Sequence, residues 1–251
     1  MEGTDVKKHL SDEEKFFDEE YIKDPQHGSK ISWCWGVWEK EYIFDVMSDK
    51  IYGKKLLDLG CGPATSVKDL INPISYNFSY TGVDISQRML DIAKTNIPSG
   101  KFIKCDIENL PFEDESFDFV IGLGLFHHLP SHEQGIKEAF RVLKKRGIFA
   151  CREPSEKVFR KHGESPHEKG IETLKFIKIC ENYGEILVFK RINTPLLSKS
   201  ISLFNRLHIP LPNSRYFWSI KKSADEAILN HLAKKIKWFE GNDFILVARK
   251  K

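Results

Sequence analysis

A doubly wound α/β fold, with helices on both faces of a largely parallel sheet, is predicted from three observations in this chain of 251 residues. Apolar runs of strand length alternate with helical patterns from Lys54 to Glu153. The first run, Leu56-Leu57-Asp58-Leu59, is apolar enough for a strand covered on both faces, and it stops on Gly60-Cys61-Gly62. Carboxylates then stand at the ends of the first three runs: Asp58, Asp84 and Asp106.

Residues 1–52 precede the first strand and read as a helical cap. Ser11-x-x-Glu14 has the form of a capping box opening a short helix through Phe16 and Phe17, and Trp38 to Met47 repeats apolar side chains at helical spacing. Between them stand Trp33, Trp35 and Trp38, each with a large apolar body and an indole N–H that needs an acceptor. A packed flap on the sheet edge and a lid over a ligand are both consistent with that cluster.

From Lys54 the rhythm is regular. Strands are expected at 55–59, 79–84, 102–105, 117–122 and 147–152, and helices at 64–71, 86–95 and 132–145. Ser131-x-x-Gln134 starts the last of these helices with a second capping box, and Ile136, Ala139, Phe140 and Leu143 form its buried face. Beyond Pro154 come a polar loop (155–169), a helix near 170–182, a strand near 185–192, and an irregular aromatic stretch from Pro195 to Trp218. A further helix opens at Ser223-x-x-Glu226, and a final strand runs from Asp243 to Arg249. With no internal repeat, one domain over 1–251 is the simplest organisation: the cap, a core at 54–153, a decoration at 154–242 and the last strand within 243–251.

Composition narrows the function classes. Apolar residues at 41% and aromatic residues at 12% suffice for a packed core. Charged residues reach 30% but the net charge is only +3, a balance that disfavours a nucleic-acid partner. The five cysteines are scattered without a C-x-x-C pair, which fits reduced thiols in the cytoplasm. The first residues lack the basic-then-apolar plan of a secretory signal. The most apolar window, Phe117 to Leu129, is too short and too polar to span a bilayer, which leaves only surface association with a membrane open.

The glycine turn permits close approach of a ligand, and the helix that follows aims its unpaired N–H groups and positive dipole end at the same crevice. Ligands of open α/β sheets bind outside the carboxyl ends of the strands, where the three acids converge. Asp84 is placed to accept both hydroxyls of a ribose, and Asp106 to accept from an exocyclic amine while the backbone of Ile107 serves the ring. Met89 and Ile85 offer apolar faces for the base. An adenosine-containing ligand is the expectation. A nicotinamide dinucleotide fits less well, because the G-x-G-x-x-G fingerprint needs glycine where Thr65 stands, and a P-loop is disfavoured because no Gly-Lys-Ser/Thr follows the turn.

Asp58-Leu59-Gly60-Cys61-Gly62, Gly82-Val83-Asp84-Ile85-Ser86, Cys105-Asp106 with Leu110-Pro111-Phe112, and Phe117-Asp118-Phe119-Val120 followed by Leu125-Phe126-His127-His128-Leu129 together resemble the successive motifs of class I S-adenosylmethionine-dependent methyltransferases. The set is most similar to the branch containing the ubiquinone and menaquinone C-methyltransferases and many small-molecule methyltransferases. The resemblance covers about residues 54–153. It implies a seven-stranded, Rossmann-like sheet with an antiparallel last strand, and S-adenosyl-L-methionine as cofactor. It also implies that Gly60 and Gly62 lie against the methionine part of the cofactor, Asp84 on the ribose and Asp106-Ile107 at the adenine, with Asp58, Ile85, Met89, Cys105 and Leu123 completing the expected cofactor-binding set. Ala64 stands where the family often has a third glycine.

The resulting expectation is methyl transfer to a small, partly hydrophobic acceptor, with tRNA or protein methylation, or a non-catalytic cofactor-binding subunit, as the alternatives. Positioning supplies most of such a rate, and where a protein base is used His127 and His128 are the best placed. The acceptor side is expected to draw on Trp33, Trp38, Glu153 and His167. Arg152, Glu153, His162, His167 and Glu168 match no standard metal-ligand spacing, so no metal is expected. Leu196 to Trp218 suits an acceptor pocket, a membrane surface or a dimer contact, with core packing as the default.

Overall fold

The structure, a computed structural model, describes residues 3–23, 39–48, 50–70, 77–156, 170–192, 222–224, 227 and 243–251. Seven strands form one sheet in the order β3-β2-β1-β4-β5-β7-β6: β1 (Lys55–Leu59), β2 (Ser79–Asp84), β3 (Lys101–Lys104), β4 (Phe117–Leu123), β5 (Leu143–Pro154), β6 (Gly184–Ile192) and β7 (Asp243–Lys250). The first five are parallel, and β7 runs antiparallel to both of its neighbours. Strand order reverses between β1 and β4, so the crevice opens beside the C-terminal end of β1.

Alternation of side chains across the sheet divides the core. Leu56, Tyr80, Ile121 and Ala150 pack with Ile43, Phe44, Val67 and Ala93 on one face. Leu57, Leu59, Val120 and Phe149 pack with Ile136, Phe140 and Phe176 on the other. The described helices are α1 (Gly3–Lys23), a π-helical turn (Lys40–Phe44) that continues as α2 (Asp45–Ser48), α3 (Thr65–Leu70), α4 (Gln87–Asn96), α5 (His132–Val142) and α6 (Thr173–Tyr183). Short 3-10 turns occupy Ile107–Asn109 and Phe126–His128. None of the described helices is long and apolar enough to cross a membrane.

Three boundaries differ from the sequence expectation. Ser11 does not begin a helix but lies exposed inside α1, because Glu14 reaches Lys104 of β3 instead of folding back as a capping box requires, while His9 and Glu13 are buried on either side of Ser11. The 38–47 helix is a π turn followed by a short α segment, and Trp38 lies outside the described residues. The helix expected to reach residue 145 ends at Val142, since Leu143 already pairs with Phe117 and Arg146 takes a left-handed φ of 62° before the strand resumes at Ile148. Ser131 does cap α5, accepting from the Gln134 amide at 3.2 Å, but its own N–H goes to Glu108 and not to Gln134. Of the helix expected from Ser223, residues 222–224 and 227 are helical and Glu226 is not described.

Candidate active site

Beyond β1 the chain turns through three left-handed residues, Gly60 (φ 59°), Gly62 (φ 49°) and Ala64 (φ 56°), with the Ala64 N–H donating to the Cys61 carbonyl at 2.8 Å. The two glycines serve different ends. A Cβ on Gly60 would meet Leu125 Cδ1 at 2.5 Å, so this glycine is needed for the β4 loop to pack over the turn. A Cβ on Gly62 would meet nothing within 4 Å. It would project into open space, the cradle a ligand needs. Gly62→Ala is therefore expected to cost only about 1–2 kcal/mol for the left-handed backbone while its methyl group blocks the cradle; melting curves and ligand titration separate the two effects.

Asp84, at the end of β2, borders that space. Its carboxylate accepts from the Gly62 and Ser86 amides, both at 2.9 Å, and so locks the glycine turn to the start of α4. Burial pushes its pKa up; the Ser86, Gly62 and Ile85 amides oppose the rise, and Asp18 adds to it. Ser86 caps α4 by accepting from the Met89 amide at 3.1 Å, and its hydroxyl also binds Asp18 of α1. Ile85 is half-buried beside Asp84 and Met89 is buried. Cys105 donates its amide to the Asp84 carbonyl at 3.1 Å, and burial pushes its thiol up to about 12. Asp106 caps the Ile107–Asn109 turn through the Glu108 amide at 2.9 Å, and Leu123 is half-buried at the end of β4.

Asp58 sits on the opposite side of the turn from solvent, 4% exposed, with the Tyr80 hydroxyl donating to it at 2.7 Å. Burial raises its pKa from 3.8 to about 7, against the Tyr80 hydrogen bond and with the charges of Asp84 and Glu39 adding to the rise. Because the folded-state pKa is the higher one, ionisation of Asp58 removes stability as pH rises from 3.8 through about 7. Asp58→Asn, which keeps an acceptor for Tyr80, should raise the melting temperature clearly at pH 8 and much less at pH 5. A gain of equal size at both pH values would contradict this assignment.

The loop after β4 is held from beneath by Glu153, which has no exposed surface. Its carboxylate accepts from the Leu125, Phe126 and His127 amides at 2.8, 2.9 and 3.3 Å, and lies 2.7 Å from His127 Nδ1. Glu153 thus departs from its expected place against the acceptor: it is turned inward and shapes the loop that carries both histidines. His127 is buried, and its ring lies 3.9 Å from that of His128, centroid to centroid. From the other side α1 closes on the same loop. His9 Nε2 lies 2.7 Å from the His128 carbonyl, Phe17 meets the His128 ring edge-on at 5.2 Å, and Glu13 stands 3.3 Å from His128 Nδ1.

The structure therefore brings Asp58, Gly60, Gly62, Asp84, Ile85, Met89, Cys105, Asp106, Ile107, Leu123, His127 and His128 to the carboxyl ends of β1 to β4. Trp33, Trp38, His162, His167 and Glu168, with the stretch from Pro195 to Trp218, lie outside the described residues. Tyr80 as the partner of Asp58 and the α1 residues that reach the site were not anticipated, since their partners are distant in sequence. No metal-binding group of His, Cys, Asp and Glu occurs among the described residues.

Residues 57–151 match the family model described as a methyltransferase domain. The demethylmenaquinone methyltransferase of Staphylococcus epidermidis is 37% identical over 154 residues, covering 60% of this chain and 60% of that protein. The chain thus matches less than two thirds of the length of this relative. Among solved structures, a Haloferax volcanii methyltransferase in complex with its Trm112 activator is similar to this chain with a TM-score of 0.64 at 18% identity, covering 95% of this chain and 97% of that one. A Haemonchus contortus phosphoethanolamine N-methyltransferase in complex with S-adenosyl-L-methionine gives a TM-score of 0.62 at 16% identity, over 94% of this chain and 60% of that one. Both confirm the fold of the domain.

Proposed function

We propose that the protein transfers a methyl group from S-adenosylmethionine to a small, partly hydrophobic acceptor of the demethylmenaquinone type, the class named in its curated relatives. The observation that carries this reading is the open space at Gly62 beside the buried Asp84 carboxylate, which fits an adenosyl ligand approached closely by backbone. When bound, the cofactor supplies a methyl carbon on a sulfonium, and the electrons of the broken C–S bond leave with sulfur as a thioether.

The residues then have separable tasks. Asp84 accepts the ribose hydroxyls, Asp106 accepts from the adenine amine, and Ile85, Met89, Ile107 and Leu123 supply apolar walls. Gly60 and Gly62 allow the donor to lie against the turn. The loop carrying His127 and His128 closes the far side, and α1 covers it, excluding water from the transfer. Glu153 fixes the His127 ring through Nδ1, so that His127 takes the proton the acceptor must lose at the methylated position. Trp33, Trp38 and His167 belong on the acceptor side in this reading.

Incubation with methyl-labelled S-adenosylmethionine and a short-chain demethylmenaquinone tests it. Label in the organic phase is the expected result. Label confined to polymer from a cell extract would move the acceptor to tRNA or protein, and cofactor binding with no labelled product from either source would indicate a binding subunit.

A further inference from the structure

Glu108, the middle residue of the Ile107–Asn109 turn, is buried, and all three of its polar groups are engaged. Its N–H donates to Asp106 Oδ1 at 2.9 Å, its carbonyl accepts from Gln134 Nε2 at 3.0 Å, and its carboxylate accepts from the Ser131 N–H at 2.6 Å. The Ser131 N–H and the Gln134 side chain would bond each other in a capping box; here both are given over to Glu108. Further along α5, Glu138 accepts from the Leu110 N–H and Arg141 donates to the Leu110 carbonyl, both at 3.0 Å. The start of α5 and the turn after β3 are therefore gripped together at several points.

The grip matters because of where the turn stands. β3 is an edge strand of only four residues, so Asp106 and Ile107 leave it with a strand neighbour on one side only. Their placement falls to α5, through Glu108. The turn engages Oδ1 of Asp106, which leaves Oδ2 as the oxygen to meet a ligand amine. The Glu108 carboxylate is held there at a cost: burial pushes its pKa up, the Ser131 amide opposes the rise, and the charge of Asp106 adds to it. We propose that Glu108 is a positioning residue for base recognition, which ties the 106–109 turn to the start of α5 and so holds the Asp106 carboxylate and the Ile107 backbone in register with the amine-bearing edge of adenine. The inference rests on the methyltransferase reading and deepens it, since it makes the choice of base depend on a residue that does not touch the base.

Calorimetric titration of the full chain with two ligands tests the assignment: S-adenosylhomocysteine, and S-inosylhomocysteine, which carries a carbonyl oxygen where adenine has its amine. The unsubstituted protein should prefer the adenine ligand by about 100-fold or more, because the other ligand sets an oxygen against the Asp106 carboxylate. Glu108→Ala should cut that preference at least about tenfold, mainly by weakening S-adenosylhomocysteine. Glu108→Gln, whose amide oxygen still accepts from the Ser131 N–H, should keep the preference within about threefold of the parent. An unchanged preference in Glu108→Ala, whether both affinities fall together or neither falls, means a merely structural Glu108 and overturns the proposal, as does a loss in Glu108→Gln as large as in Glu108→Ala. Equal affinity of the unsubstituted protein for the two ligands takes the base away from this turn and overturns the proposal while the methyltransferase reading stands; failure of both ligands to bind overturns both. Should Glu108→Ala not fold, Gln134→Met decides, since it removes the donor to the Glu108 carbonyl and leaves α5 its length: a preference lowered about threefold or more supports the proposal, and an unchanged one overturns it.

Discussion

Asp84→Ala is expected to weaken S-adenosylhomocysteine binding by roughly 100-fold or more, since two hydrogen bonds to a charged acceptor contribute about 1.5–3 kcal/mol each. The same substitution strips the Gly62 and Ser86 amides of their acceptor, so a stability loss of about 1–3 kcal/mol should accompany it. Asp84→Asn separates the two contributions. Its amide oxygen retains one of the backbone contacts and most of the stability, while the loss of charge still depresses affinity. Calorimetry alongside thermal melts provides the check. A folded Asp84→Ala variant that binds within threefold of the parent would take the ribose away from Asp84.

Glu153→Ala should be the most damaging change to the fold of the site, costing about 3–5 kcal/mol as expected when one partner of a buried pair is removed. Three amides and the His127 ring share that one carboxylate, and none of them has water as a substitute in a residue with no exposed surface. Burial alone would raise the Glu153 pKa; the hydrogen bond and charge of His127, with the Phe126 and Leu125 amides, hold it below its ordinary 4.5. The corresponding stability is present above about 4.5 and lost as pH falls through the lower folded-state value. Denaturant melts of the parent and of Glu153→Gln from pH 3 to pH 7 should converge at the acid end. Parallel curves would show that the fold does not hold the Glu153 carboxyl below its ordinary value.

Much of this was readable before the structure, for reasons that differ from element to element. β1 and β4 were legible because they bury both faces along most of their length and so write mainly apolar runs, and Ser131 was legible because a cap bonds within three residues of itself. The placement of Asp84 and Asp106 at or just beyond strand ends was legible from the runs that precede them. Ser11 misled because a capping box is a local pattern, whereas Glu14 is claimed by Lys104, 90 residues away. Glu153 was placed on the correct strand and given the wrong neighbour. Its partners are backbone amides 26 to 28 residues earlier, which carry no side-chain signature. Glu108 left no trace at all, since nothing in Ile107-Glu108-Asn109 distinguishes a buried carboxylate from a solvated one.

The insertion of β7 between β5 and β6 bears on how the protein fails. Until residues 243–250 are in place, β5 presents the unpaired backbone of Ile148 to Pro154 along a run whose Phe149, Ala150 and Cys151 side chains are fully buried in the finished fold. A long apolar edge of that kind recruits strands from other molecules. The strand left bare is the one that carries Arg152 and Glu153, so a nick or deletion within β7 would not yield a dissolved, merely weakened protein. It would convert the site-bearing strand into a seed for self-association, and loss of function would register first as insoluble protein.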